Sequence, residues 1–320
     1  MNFSTFNNGP NINGMQSLWP ELNYHHYKET VSLVHLWTQI VGKIRLRKMP
    51  WLNHSWHVSL YVTPRGFTTS SVPYEKGIFE IEFDFLQNQL ILSTSDGRNT
   101  HVELRSQPVA HFYLEVLEKL QDLHIPVQIH GAPNELDPAI PFAEDHREQH
   151  YDHHEMQLLW KAFIEVHKVF QEFRARFIGK CSPVHLFWGA FDLAVTRFSG
   201  RQAPKHPGGM PNIPLRVMQE AYSHEVSSCG FWPGNEDFPQ PAFYAYCYPT
   251  PEAFGQQPVE PQEAFFSKEM GEFFLPYAAV SSAADPHSAL MGFLQSTYEA
   301  AANTGSWDRQ ALEFDFSDFE

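Results

Sequence analysis

Residues 79–85 read Phe79-Glu80-Ile81-Glu82-Phe83-Asp84-Phe85. Every second side chain is large and apolar, and each one between is acidic. Successive side chains of an extended chain point to opposite faces, so this is a strand with one face in a core and the other in water. Gln87-Asn88-Gln89 turns the chain into Leu90–Thr94, and Asp96-Gly97 is a stronger turn signal just beyond. Connections this short leave no room for a crossover helix, so the sheet is antiparallel.

Outward from this hairpin the pattern changes period. Upstream, Trp56–Thr63 is rich in β-branched and aromatic residues and reads as another strand. Before it, Tyr27, Val31, Val34, Trp37 and Val41 recur at three- and four-residue spacing, which predicts a helix over Tyr24–Lys43. Gly42 suits its end, and Lys43 and Arg45 suit the negative end of its dipole. Downstream, Val109–Leu123 reads as a second helix with Phe112, Val116, Leu117 and Leu120 inward.

From Gly131 to Tyr151 periodicity lapses among Pro133, Pro138 and Pro141. Asp152 and Glu155 then form a capping pair. Met156, Leu159, Phe163, Val166, Phe170, Phe173 and Phe177 follow as a long helical seam, which Gly179 and Lys180 end. From here the order of the first half recurs. Val41-Gly42-Lys43 corresponds to Ile178-Gly179-Lys180, and Trp56–Leu60 to Phe191–Val195. Phe79–Phe85 corresponds to Tyr222–Ser228, Leu90–Thr94 to Phe243–Cys247, and Val109–Leu123 to Pro286–Ala302. The expected fold is α+β, two tandem duplicated helix–antiparallel sheet–helix units over residues 19–131 and 152–306. A linker over 132–151 joins them, a disordered leader over 1–18 precedes them, and an acidic Phe-rich tail over 307–320 follows. In that tail Phe314, Phe316 and Phe319 alternate with acids. It reads as a frayed end, with an added edge strand or a partner-binding peptide as alternatives.

Composition narrows the functional classes. The chain is 42% hydrophobic and only 18% charged, so it can form a core and is not a disordered polymer. A net charge of −15 argues against a general nucleic-acid binder. No stretch reaches the roughly 18–20 uninterrupted apolar residues that a membrane helix needs. Met1–Ser17 has neither the basic start nor the apolar run of a signal peptide, and three cysteines make no disulfide framework. The default compartment is the cytoplasm. Aromatic residues make up 15% of the chain, enough to fill a core and to line a pocket as well.

Two local features carry the chemistry. From Leu193 to Gln219 there is no acidic residue, while Arg197, Arg201, Lys205, His206 and Arg216 accompany Gly200, Gly208 and Gly209. Such a loop can clamp a phosphate or carboxylate through Arg197 and Arg201, or simply neutralise an acidic remainder. Lys43, Arg65 and Lys180, beside element ends, are further ligand-binding candidates. Asp192 interrupts the apolar run Leu186–Val195, and a buried carboxyl needs a partner or a proton. An arginine holds it, or it serves as an acid, base or orienting group. His57, its counterpart in the repeat, and His185 and His224 complete the titratable catalytic candidates. Each of these histidines has a plain structural reading as well. His146, His150, His153 and His154 cluster with Asp145, Asp152 and Glu155, but without HExxH or paired CxxC spacing no metal site is assigned. Gly179-Lys180-Cys181-Ser182 ends a helix, where carbonyls of the wrong sign face a phosphate. No motif names a cofactor.

The segments His35–Lys43, Phe173–Lys180 and Phe191–Arg201 resemble a bacterial family with no assigned role, domain of unknown function 5996. So do Ser223–Val226, Gly230–Gly234 and Phe243–Tyr246. The resemblance runs from about Trp19 to Trp307, and it implies no reaction, cofactor or catalytic residue. The residues themselves point to a protein that binds a small anionic ligand in a groove lined by aromatic and Arg side chains. One alternative is a non-catalytic interaction protein that recruits a protein partner through an aromatic surface or the tail. A metal-dependent hydrolase is the other. Neither nucleic acid nor membrane is an expected partner.

Overall fold

The structure is a computed structural model, and it describes residues 18–314. Helix α1 spans Tyr24–Lys48, with the Asn23 side chain accepting from the His25 amide at its start. It runs past Gly42, the expected end, and stops before Pro50 with Arg45, Arg47 and Lys48 in its last turn. Gly42 serves a different purpose. A methyl group there would overlap the Trp188 indole, so the glycine is a notch that lets the second half of the chain pack onto α1.

Strands β1 (Tyr61–Val62), β2 (Gly66–Thr68), β3 (Val72–Tyr74), β4 (Gly77–Asp84), β5 (Gln89–Thr94) and β6 (Asn99–Glu103) form the first sheet. Its order is β1-β2-β4-β5-β6, with β3 also on β4, and every pairing is antiparallel. The alternation seen in the sequence is the burial pattern: Phe79, Ile81, Phe83 and Phe85 are buried, opposite Thr94, Leu92 and Leu90 for the first three. Helix α2 (Val109–Asp122) closes the unit.

Only Tyr61–Val62 of the expected strand Trp56–Thr63 is regular strand. Upstream, His54 and Ser55 take left-handed backbone angles and turn the chain. Segment 132–151 is irregular, as expected of a connection, yet it lies against the fold. Phe142 is fully buried, and the Asn134 amide donates to Gln39 of α1 at 2.7 Å.

Helix α3 (His153–Ala175) begins at Asp152, whose carboxylate accepts from the amides of His154 and Glu155. Gly179 lies beyond its end. The second sheet follows: β7 (His185–Phe187), β8 (Asp192–Gln202), then helix α4 (Leu215–Ala221), β9 (His224–Trp232), β10 (Ala242–Tyr248), β11 (Phe265–Ser267) and β12 (Glu272–Pro276). Its order is β11-β12-β10-β9-β8-β7, again antiparallel throughout. Helices α5 (Tyr277–Ser281), α6 (Pro286–Thr304) and α7 (Arg309–Leu312) complete the chain. Both halves therefore read helix, antiparallel sheet, helix. The segment pairs Phe79–Phe85 with Tyr222–Ser228 and Leu90–Thr94 with Phe243–Cys247 fall on or at strands in the same sheet positions, β4 with β9 and β5 with β10. Trp56–Leu60 and Phe191–Val195 differ, the first being turn and the second strand.

The sheets meet edge to edge. Leu60, just before β1, and Leu186 of β7 exchange backbone hydrogen bonds of 2.9 and 2.8 Å. Helices α1 and α3 pack together, with α2 beside the first and α6 beside the second. One hydrophobic cluster runs through both halves. Phe163 of α3 stands at its centre, with Phe67 at 5.2 Å from the first sheet and Phe231 at 5.1 Å from the second. The end of the described chain is docked: Trp307 packs on Tyr298, and the Ile178 amide donates to Leu312. The remainder of the tail, with Phe316 and Phe319, and the leader up to Ser17 lie outside the described residues. Among the described residues no helix is long and apolar enough to cross a membrane.

Candidate functional site

Strand β8 divides the chemistry of the second half by alternation. Leu193, Val195 and Arg197 face the helices, whereas Asp192, Ala194 and Thr196 take the outward face. On the neighbouring strands that outward row continues through Ser228 and Gly230 of β9 and Tyr244 and Tyr246 of β10. Gly230 lies between Ala194 and Tyr244. Any side chain at Gly230 would collide with the Tyr244 ring, so the glycine lets that ring lie across β9. Its hydroxyl thereby reaches two strands over and donates to Asp192 Oδ2.

A polar array surrounds this pair. The Tyr246 and Tyr222 hydroxyls are 2.8 Å apart, and Thr196 and Ser228 join at 2.9 Å. His206 stacks on Tyr222 at 4.6 Å and lies 4.9 Å from Tyr248, which brings segment 203–222 across the sheet face. The connecting segment covers the adjoining part. Glu135 lies over Gly189, where a methyl group would overlap its carboxylate, and its amide donates to Pro211 at 3.1 Å. Asn134 ties this cover to α1 and to Asn212, accepting from Lys43 and donating to the Asn212 carbonyl. Glu135 (φ 58°) and Phe191 (φ 59°), next to Asp192, both take left-handed backbone angles. For residues other than glycine these are strained, and such strain concentrates at functional sites.

The electrostatics follow from burial without neutralisation. Asp192 is 8% exposed, and burial pushes its carboxyl up to about 6 against the opposing hydrogen bond from Tyr244. Glu135 and Glu272 are each pushed up to about 7, first by burial and then by the charge of Asp192. No described lysine, arginine or histidine is paired with any of the three. Burial lifts Tyr222 to about 12 and Tyr244 and Tyr246 well above the usual tyrosine value. At neutral pH the tyrosines keep their protons, while the carboxyls, raised to about 6–7, are near the point of titration.

Of the candidate site residues read from the sequence, Asp192 alone joins this array, with His206 of the acid-free stretch stacked on Tyr222 at its edge. The partner of Asp192 is a tyrosine; Arg197 faces the other way. Arg197 is 1% exposed, donates to Phe173 O in the last turn of α3, and sits 3.5 Å from the Phe173 ring and 4.3 Å from Tyr298. Arg201 pairs with Glu225 and donates to Gly305 and Ser306, just past α6. Both guanidiniums thus serve helix C-termini, where carbonyls lack partners. They do not converge. Arg65 holds Asp84 in the first sheet, and Lys43 lies over Trp188 at 5.3 Å. Lys180 contacts His54 at 2.6 Å and the rings of Trp56 and Phe198. His57 meets Leu52 and the Trp51 ring, and His224 meets Ser223. His185 is fully buried with neither ring nitrogen bonded, and burial drives it down to about 3. In the histidine-rich segment Asp145 binds Arg147 and Asp152 caps α3. Among the described residues no group of three or more His, Cys, Asp or Glu is placed to hold a metal ion.

Sequence reasoning missed Glu135, Glu272 and the tyrosines. Tyr244, Tyr246 and Tyr248 did carry a signal, tyrosines at period two in a strand-like run. The glutamates carried none, since nothing local shows that they will be covered.

No curated protein and no solved structure matches the chain. A family model does match, over residues 19–314, and by that match the chain belongs to the family of unknown function DUF5996.

Proposed function

We propose that the outer face of the second sheet binds a small, positively charged ligand. Asp192, Glu135 and Glu272 hold its charge, and Tyr222, Tyr244 and Tyr246 present hydroxyls and ring faces to it. The observation that carries this reading is that two half-buried glutamates, Glu135 and Glu272, each lie within range of the charge of buried Asp192, with no basic side chain paired to any of the three. An amine or guanidinium would supply the missing counter-charge, and aromatic faces favour the same kind of group. The reading reverses the sign of the ligand expected from Arg197 and Arg201, because both arginines are engaged at helix ends. It also accounts for the strained backbone at Glu135 and Phe191, which sets two of the walls.

The test is a thermal-unfolding panel at pH 8 with putrescine, arginine methyl ester and choline, each matched to sodium chloride of equal ionic strength. A ligand that binds only the folded chain raises its apparent stability with concentration. The expected result is a saturable rise with at least one amine in the wild type, absent in Asp192→Asn/Glu272→Gln. No rise beyond the salt control, or an equal rise in the double variant, overturns the proposal.

A further inference from the structure

A second polar feature lies at the seam between the halves. A recess of about 440 Å³ is walled by Tyr61 and Val62 of β1, by His167, Gln171 and Arg174 of α3, and by Pro183 and Val184 leading into β7. It exists because β1 and β7 touch through one bridge only, so α3 flanks the gap beside them. His167, Gln171 and Arg174 follow one another at four- and three-residue steps and so share one helix face. Val166, Phe170 and Phe173, one residue earlier in each case, take the adjoining, core-facing side.

The chemistry of this wall is one-sided. Arg174 Nε donates to the Ser182 carbonyl at 2.6 Å, which fixes the plane of the guanidinium. Its two terminal nitrogens have no acceptor among the described residues, and it belongs to no ion pair there. The Gln171 amide nitrogen lies 3.2 Å from His167 Nε2, and His167 Nδ1 is buried without a hydrogen-bond partner. Behind Tyr61, the Arg45 guanidinium lies 5.1 Å from its ring. No acidic residue lines the recess.

We propose that this seam recess binds a small oxyanion, a carboxylate or phosphoryl group seated on the free edge of Arg174 with His167 and Gln171 beside it. A guanidinium held by its Nε still offers two parallel N–H donors, the geometry that carboxylates and phosphates accept in bidentate fashion. The site is separate from the carboxyl and tyrosine array and stands or falls without it.

The experiment uses the full chain with inorganic phosphate and, separately, acetate, each against chloride at equal ionic strength. Binding is read by calorimetric titration and by thermal unfolding. The variants are Arg174→Gln, which removes the fork, and Gln171→Glu. Gln171 is exposed and bonds only His167, so Gln171→Glu places a carboxylate beside Arg174 while sparing the core. Saturable binding of either anion is expected in the wild type, with the half-saturation point raised about tenfold or more in each variant, the loss of one charged hydrogen-bonded contact. The anion that saturates at lower concentration identifies the group. Failure of both anions to bind, or unchanged binding in either Arg174→Gln or Gln171→Glu, overturns the proposal.

Discussion

Asp192→Asn removes one charge from the buried array and keeps an oxygen that can accept from Tyr244. In the wild type that carboxyl moves from 3.8 to about 6 on folding. At about 1.4 kcal/mol per pKa unit, this corresponds to about 3 kcal/mol of folding free energy lost once the group is ionised. The sign follows from the direction. Below pH 3.8 the group is protonated in both states and costs nothing; above about 6 it is ionised in both and the full penalty applies. Glu135 and Glu272, held at about 7 partly by Asp192, relax when its charge is gone and extend the effect upward in pH. The variant should therefore exceed the wild type by only about 1 kcal/mol at pH 4.5 and by about 2–4 kcal/mol at pH 8. Burial holds His35, His54, His57 and His185 below the usual imidazole value, so both proteins lose stability as acid protonates the unfolded chain. That loss cancels in the difference. Urea unfolding followed by tryptophan fluorescence from pH 4.5 to 8.5 gives the curve. A difference that stays flat with pH, or a variant less stable than wild type at pH 8, would refute the reasoning.

Three other substitutions test the frame that holds the array. Gly42→Ala adds a methyl group where the Trp188 indole lies, and the same unfolding assay should show a net loss of about 1–2 kcal/mol, overpacking outweighing about 1 kcal/mol of gained helix propensity. A net gain would mean the notch is not needed. Arg197→Ala empties an aromatic enclosure and orphans the Phe173 carbonyl, so it should cost about 3–5 kcal/mol, whereas exposed Arg201→Ala should cost less than about 1 kcal/mol. Equal losses would contradict the different placement of the two side chains. Gly230→Ala forces Tyr244 off Asp192; without that hydrogen bond the carboxyl rises further above about 6, so the variant's stability should fall progressively below the wild-type curve as pH rises from 5 to 8. Coincident curves would show that the Tyr244 contact does not set the titration.

The secondary structure was legible where one physical signal dominated. Phe79–Phe85 showed period two, the seam Met156–Phe173 showed helical period, and both folded accordingly. Gly42 misled because a glycine marks a helix end or a close approach, and one sequence does not separate the two. Trp56–Leu60 misled because β-forming side chains there are outweighed by the turn at His54 and Ser55. Asp192 was recognisable as a carboxyl in apolar company. Its partner was not, because Tyr244 is 52 residues away and reaches it only across Gly230. The gap in acidic residues after Leu193 was real but served another end: Arg197 and Arg201 satisfy the ends of α3 and α6.

Both sheets put carboxylates on the face away from the helices, yet only one face becomes an unusual electrostatic site. In the first sheet Glu80 is exposed and accepts from Thr68, while half-buried Glu82 accepts from Thr63. Hydroxyls serve both, and Glu80 is open to solvent. In the second sheet segment 203–222 and the stretch around Glu135 lie over the corresponding face, joined to each other through Asn134 and Asn212. This cover lies beside buried Asp192, adds a third carboxyl and supplies Tyr222. A sheet strand can display a carboxylate at almost no cost; a carboxylate whose proton affinity reaches the neutral range requires that water be taken away. The raised proton affinity on this face therefore depends on the irregular connections that cover it as well as on the strands that carry Asp192, Tyr244, Tyr246 and Glu272.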